Sequence, residues 1–410
     1  MVAVVGEWHV ISVPAYNCSV EWHKFRVDLL VHFFRTENLD LRKLKIMSEM
    51  NKSGKKTIII YGSYGYTGTI IAEIAAGSGL PVVLAGRDGH KLAGQAARLN
   101  LPYRAASLND PGAMDTLLAD ALLVMHCAGP FMFTWKSMAE ACLRNGCHYL
   151  DITGEIDVFE SIKKMDEAFR AAGIMAMPGT GFDVVPSDCL AMLLRERLPD
   201  ADTLDLAFTG IGGGVSHGTA TSMAERVGMG GAVRRGGRLK PVPSAYLVQE
   251  VDFGRGPKPV VSIPWGDLST AYTSTGIENI TVYTAVKKPA IRMLKFSNLL
   301  NSVLRTSAVR GLIKKWIDSR PAGPTPEQRE TGKSIFRGRV RNASGKTVEA
   351  GLVTPEGYRL TALTAWHIAL KVTAGNFKPG YQTPATAYGK ELIFEIDGCR
   401  EQEVAGCWGP

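Results

Sequence analysis

Residues Lys56 to Asp88 read KTIIIYGSYGYTGTIIAEIAAGSGLPVVLAGRD. A β-branched apolar run, Thr57 to Tyr61, opens the stretch as a buried strand should. Gly62, Gly65 and Gly68 follow, then a small-residue helical segment, then a second apolar run, Val82 to Ala85. Strand, glycine turn, helix, strand is the order of a βαβ dinucleotide-binding unit. Glycine is common here (44 of 410 residues), so placement decides the reading, not the glycines alone. Gly62 allows the tight turn, Gly65 leaves the backbone open to a pyrophosphate, and Gly68 lets the helix pack closely. The N–H groups near Tyr66 to Thr69 have no partners within the helix and can bind phosphate.

The second strand ends Ala85-Gly86-Arg87, with Arg87 25 positions after Gly62. An NAD site places Asp or Glu here, against the ribose 2′-OH. A guanidinium suits a 2′-phosphate instead, so the expected cofactor is NADP. Asp88, the next residue, could pair with Arg87 and weaken that reading.

Downstream the α/β pattern continues. Short strands are expected at Tyr103–Ser107, Ala121–Cys127, His148–Ile152 and Ile174–Met177, and helices at Asp110–Asp120, Ser137–Asn145, Val158–Ala172 and Pro186–Leu198, the last with Ser187 as N-cap. Ligands of open parallel sheets lie beyond the strands' carboxyl ends, so Ala128, Gly129, Pro130 and Phe131 should border the nicotinamide half of the cofactor. The cofactor-binding set is therefore Gly62, Tyr64, Gly65, Tyr66, Thr67, Gly68, Arg87, Ala128, Gly129 and Pro130.

Near Asp200 the pattern changes to alternating strands and separate helices, which suits an α+β substrate domain. Ser216-His217-Gly218-Thr219 starts a helix, and residues 230–259, rich in Gly, Pro and Arg, read as a long loop or lid. A hairpin is expected across Asn342-Ala343-Ser344-Gly345. The expected fold is thus a Rossmann-type parallel sheet domain, 53–199, followed by an α+β domain, 200–378. A C-terminal segment, 379–410, returns toward the first domain. Residues 1–52 differ in style, with three of eight histidines, and read as an extension outside the fold.

Lys287 to Lys315 carries eight Lys or Arg and no acidic residue, matching the whole net charge of +8. Apolar residues from Phe296 to Leu304 recur between them at helical spacing. The segment reads either as a surface helix packed on the protein's own core or as a basic amphipathic helix on an anionic membrane surface. No nucleic-acid motif accompanies the charge, so nucleic acid is not an expected partner. A homodimer and membrane contact through 287–316 remain open.

The seven cysteines are scattered, with no CxxC pair, which argues against a zinc or disulfide framework and fits a reducing cytoplasm. No metal site is expected. Neither a transmembrane stretch nor a secretion signal is visible.

Reduction of a C=C or C=N bond needs a proton donor besides the hydride source. Tyr149, Asp151 and His217 are the candidates put forward; Tyr149 and Asp151 share one strand face. Glu155 and Asp183 lie just past strand ends. Asp151 and Asp183 also fit turn or helix-capping roles, Glu155 a solvated carboxylate, and His217 a cap or a satisfied polar contact. No Tyr-x-x-x-Lys pair supports a short-chain dehydrogenase mechanism.

Five motifs in order, GSYGYTG (62–68), AGR (85–87), AGPF (128–131), YLDITGE (149–155) and PGTGFDVVPSD (178–188), resemble the saccharopine dehydrogenase-like oxidoreductases. With the closing YQTPATAYG (381–389), the chain is most similar to the trans-acting enoyl reductase and lipid-droplet-type branch. That resemblance implies an NADP-dependent enzyme reducing an unsaturated acyl or lipid-like substrate, free or carrier-linked. Ser216-His217-Gly218-Thr219 departs from the branch, which would carry Pro or Arg at the histidine. An imine or opine-type reductase is the alternative, with Arg234, Arg235 and Arg238 as carboxylate clamps. A non-catalytic, membrane-attached cofactor-binding protein is the other.

Overall fold

The computed structural model describes residues 54–55, 57–404 and 406–409. The extension expected over 1–52 lies outside the described residues.

Seven parallel strands build the first sheet. β1 (Thr57–Tyr61), β2 (Val82–Gly86), β3 (Tyr103–Ala105), β4 (Ala121–His126), β5 (His148–Asp151) and β6 (Met175–Met177) come first, and β15 (Gly380–Tyr381) is added from the far end of the chain. Their spatial order is β15-β6-β5-β4-β1-β2-β3. β1 pairs with both β2 and β4, so the strand order reverses there and a crevice opens beyond the carboxyl ends. Every residue of β1, β2, β4 and β5 is buried. Ile58, Ile59 and Ile60 are 0% exposed, and each contributes about 1.5–3 kcal/mol by leaving water.

The connecting helices are α1 (Tyr66–Ala76), α2 (Gly89–Leu99), α3 (Pro111–Leu118), α4 (Phe131–Asn145), α5 (Ile156–Lys163), α6 (Asp166–Ala171) and α7 (Val185–Arg197). Three depart from expectation. α4 starts right after Pro130, six residues before Ser137, because its first N–H groups find a cap elsewhere in the chain. The helix expected over Val158–Ala172 is two, α5 and α6. Ser187 lies inside α7 rather than capping it; its hydroxyl donates to Val184 O and to Asp267.

The second sheet is mixed, with order β10-β11-β12-β7-β13-β14-β16, and a hairpin of β8 (Gly231–Arg235) and β9 (Arg238–Val242) joins it at β12. Its other strands are β7 (Ala201–Ile211), β10 (Val248–Asp252), β11 (Pro257–Ser262), β12 (Asn279–Ala285), β13 (Lys333–Asn342), β14 (Thr347–Pro355) and β16 (Arg400–Gln402). The loop expected over 230–259 is therefore mostly strand. The hairpin across Asn342–Gly345 stands as expected, with Gly345 at φ +84°.

The helices of this half are α8 (His217–Glu225), α9 (Asp267–Thr275), α10 (Lys288–Ser297), α11 (Asn301–Leu304), α12 (Ser307–Asp318), α13 (Pro326–Thr331), α14 (Gly357–Thr373) and α15 (Pro384–Tyr388). α14 packs on α1 and β4 of the first sheet. Thr364 Oγ1 donates to Thr180 O at 2.8 Å, and Phe182 N donates to Thr361 Oγ1 at 3.0 Å. One apolar core runs through both sheets, from Ile58, Ile60 and Leu84 to Leu204, Phe336 and Trp366. The crevice at the β1/β4 switch point is thus held between two halves that share a core.

Candidate functional site

The glycine turn is built by close approach. Gly62 sits at φ +79°, and a Cβ there would lie 2.8 Å from Ala128 N. A Cβ on Gly68 would overlap Gly62 O, so this glycine closes the turn against the helix. Gly65 would meet only Gly62 O, at 3.2 Å. It is the N-cap of α1 and offers no side-chain cap, so the N–H groups of Tyr66, Thr67 and Gly68 stay available to an anion. Ala128 lies against this turn, Gly129 is exposed beside it, and Pro130 ends it at the N-cap of α4.

Tyr64 packs its ring on Gly86, where a Cβ would come within 2.7 Å, and its hydroxyl accepts from Asp88 N at 3.3 Å. Asp88 is committed to capping α2, accepting from His90 N and Lys91 N at 3.1 Å each. Arg87 is exposed and forms no described ion pair with Asp88, so the guanidinium is left for a phosphate. Tyr66 does something else. Its hydroxyl donates to Pro324 O at 2.5 Å and accepts from Arg329 Nη1 at 3.0 Å, while its ring meets Tyr358 edge-on at 5.0 Å. It ties the second half over the phosphate turn.

Tyr149 and Asp151 do meet, with Tyr149 Oη donating to Asp151 Oδ2 at 2.5 Å, but both are 0% exposed. Asp151 also accepts from Thr153 N at 2.9 Å and Gly179 N at 2.8 Å. It pins the turns leaving β5 and β6. Burial pushes its carboxyl up to about 7 against these hydrogen bonds. Neither side chain presents an atom to the crevice. His217 is also turned away: its Nε2 lies 2.7 Å from Asp318 Oδ1 on the surface, and the helix cap is Ser216.

Glu155 is buried rather than solvated. Its two carboxylate oxygens accept from Phe131 N at 2.9 Å and Met132 N at 2.8 Å, supplying the cap that starts α4 early. Ser222 of α8 donates to the same carboxylate at 3.5 Å, which brings α8 to the carboxyl edge. Asp183 does not cap α7; the N-cap is Val184, and the Asp183 main-chain oxygen accepts from Trp265 Nε1 at 2.9 Å. Its half-buried carboxylate lies over Gly154. Burial, then the neighbouring Glu155, push it up to about 7. Tyr358 Oη accepts from Ser216 N at 2.6 Å and lies 3.0 Å from Thr219 Oγ1. No motif in the sequence singles out Tyr358. His126, at the end of β4, is buried beside Phe131 and Tyr149, and burial lowers it to about 3, so it stays neutral.

Of the cationic clamp weighed for carboxylates, Arg234 and Arg235 are occupied, while Arg238 is exposed with no described partner. Arg234 donates to Leu268 O at 2.5 Å and pairs with Glu160 at 2.9 Å; Arg235 donates to Ile280 O and Thr281 Oγ1. Large apolar side chains stand exposed near the edge instead: Phe133 in the first turn of α4, Val215 before Ser216, Met223 after Ser222, and Met229 beyond α8.

A parallel sheet with an open phosphate turn and, among the described residues, an arginine after β2 without an ion-pair partner are the features of an NADP-binding domain, here joined to a second, mixed-sheet half. Residues 58–177 match the saccharopine dehydrogenase NADP-binding domain. The chain is 28% identical over 214 residues to the saccharopine dehydrogenase-like oxidoreductase of Rattus norvegicus, covering 45% of this chain and 50% of the relative. It is 30% identical over 160 residues to the trans-acting enoyl reductase of Mycobacterium leprae, covering 37% of this chain and 38% of that protein. The match thus spans about half the length of these curated relatives, or less. The fold matches apo saccharopine dehydrogenase (L-Glu forming) from Saccharomyces cerevisiae at a TM-score of 0.59 and 12% identity, over 85% of this chain and 100% of that one.

Proposed function

We propose that the protein is an NADP-dependent oxidoreductase that reduces the double bond of an unsaturated acyl or lipid-type substrate, free or carrier-linked. The observation that carries this reading is the exposure of Phe133, Val215, Met223 and Met229, which the proposal takes as an apolar collar for the substrate, while Arg234 and Arg235 are held by partners within the protein. An acyl chain needs apolar walls; an amino-acid imine needs free cations for its carboxylates. The relative named as an enoyl reductase supports the same choice.

Bound NADPH would supply the hydride. The N–H groups of Tyr66, Thr67 and Gly68 would hold the pyrophosphate and Arg87 the 2′-phosphate, while Ala128, Gly129 and Pro130 border the nicotinamide. Tyr149 and Asp151 position the turns that carry Glu155 and Asp183. NADPH oxidation across a panel of enoyl-CoA and imine substrates tests the choice. Faster turnover of an imine would reverse it, and binding of NADPH with no turnover of either class would favour a non-catalytic protein.

The same reading includes contact with a lipid surface, and hence a role in lipid metabolism. α10 and α11 bury no residue and α12 only Ile317. The segment rests on the protein through half-buried Ile291, Leu294, Leu304, Val309 and Ile313 and leaves its other apolar residues exposed. Met293, Phe296, Leu299, Val303, Leu312 and Trp316 are 54–78% exposed among the basic residues. Of the eight cations only Arg310 and Lys314 have a described acidic partner, Glu225. Unpaired cations flanking exposed apolar side chains fit an anionic bilayer surface. No described helix is long and apolar enough to cross a membrane.

A further inference from the structure

The acids at the carboxyl edge divide by their partners. Glu155 caps α4, and Asp151 pins two turns. Asp188 is fully buried and accepts from Ser274 Oγ at 2.6 Å and Ala385 N at 2.9 Å. Asp267 is fully buried and accepts from Ser187 Oγ at 2.8 Å. Asp183 alone in this group is half-buried, and its only described hydrogen bond is made by its main-chain oxygen. Its carboxylate lies over Gly154, whose missing Cβ leaves the space, just past the end of β6.

We propose that Asp183 is the proton donor of the reduction, an inference that rests on the acyl-reductase reading above. The charged and titratable neighbours are Glu155 from the turn after β5, Asp267 from α9 and Tyr358 from α14. None is a cation, so nothing favours the ionised form. A carboxyl raised to about 7 is still half protonated at neutral pH, which suits a general acid. In the step, one carbon of the double bond takes hydride from the reduced dinucleotide and the other takes the proton from Asp183. The carboxylate left behind regains a proton from water.

The test uses the full chain as wild type, Asp183→Asn, Asp183→Glu and Tyr358→Phe. Infrared difference spectra follow the carboxyl C=O band from about pH 5 to about pH 9, NADPH binding is read by fluorescence, and an enoyl-CoA panel gives kcat against pH. The wild type is expected to show carboxyl signals that titrate near about 7 from both Asp183 and Asp151, and Asp183→Asn to lose the Asp183 contribution while keeping that of Asp151. Asp183→Asn should bind NADPH as the wild type does, with kcat lower by about a hundredfold or more and its alkaline decline gone; Asp183→Glu should restore part of the rate. A wild-type-minus-Asp183→Asn difference spectrum with no titrating carboxyl signal overturns the proposal. So does a loss of kcat confined to Tyr358→Phe. If the wild type binds NADPH and shows the band but reduces no enoyl-CoA, the activity reading fails and the donor with it, while the assigned protonation stands.

Discussion

In the proposed binding mode, Arg87 carries the choice between the two dinucleotides. It is exposed, and its neighbour Asp88 is occupied at the cap of α2. A hydrogen bond to a charged group contributes about 1.5–3 kcal/mol, so Arg87→Ala should weaken NADPH by about ten- to hundredfold and NADH far less. Equal losses in a fluorescence titration would refute the 2′-phosphate role. Asp183 makes a second residue-scale prediction, on stability. Its folded value of about 7 is above the ordinary 3.8, so the folded state keeps a proton that the unfolded chain releases. The group's stabilising contribution is present below the ordinary value and is lost as pH rises through about 7. Asp183→Asn should therefore raise Tm relative to the wild type at alkaline pH and change it little near pH 4. A shift of the same size at both would contradict this. Such residues are only partly legible in sequence. The spacing of Gly62, Gly65, Gly68 and Arg87 is local and was readable. The carboxylates of Glu155 and Asp183 depend on what folds against them, and sequence could not separate capping, solvated and unpartnered acids.

At the scale of elements, α4 and the α10–α12 arm are the informative cases. α4 begins early because Glu155, 24 and 23 positions from its bonded partners, supplies the cap that Pro130 cannot. Local signals could not show a cap brought in from the next strand's end. Glu155→Ala should cost about 1–2 kcal/mol, read as a lower Tm, and should free the first turn of α4 for faster amide exchange. No loss of protection at Phe131 and Met132 would contradict the capping role. The strands β8, β9 and β10 were missed because their stretch is rich in Gly, Pro and Arg, and their pairing is decided by tertiary partners. The arm's charge was legible, its exposure was not. It is fixed to α8 through Glu225, and by Asp318 to His217. Each basic residue near an anionic bilayer contributes about 1 kcal/mol. Replacing Lys287, Lys288, Arg292 and Lys295 by Gln should weaken flotation with vesicles of phosphatidylcholine and phosphatidylserine by up to several hundredfold, about the summed effect. Unchanged flotation would rule out an electrostatic anchor.

For the whole molecule, the parallel sheet was readable because β1, β2, β4 and β6 are short apolar runs with a helix close behind each. The edge strand β15 was not, since two residues from the far end of the chain carry no pattern. The second sheet was legible as a class but not as an order: β7 lies between β12 and β13, partners brought from 68 or more positions away. That arrangement sets α8 and the 322–329 segment over the crevice through Ser222, Pro324 and Arg329. In the proposed function the first half holds the dinucleotide, and exposed apolar side chains of both halves, Phe133 from the first and Val215, Met223 and Met229 from the second, select the substrate. The most direct test is NADPH oxidation by the purified full chain with trans-2-enoyl-CoA substrates of increasing length, with the product identified by mass. The expected result is a saturated acyl product, formed more efficiently as the chain lengthens against the collar. Tight NADPH binding with no saturated product at any length, or with an imine reduced in preference, would contradict it.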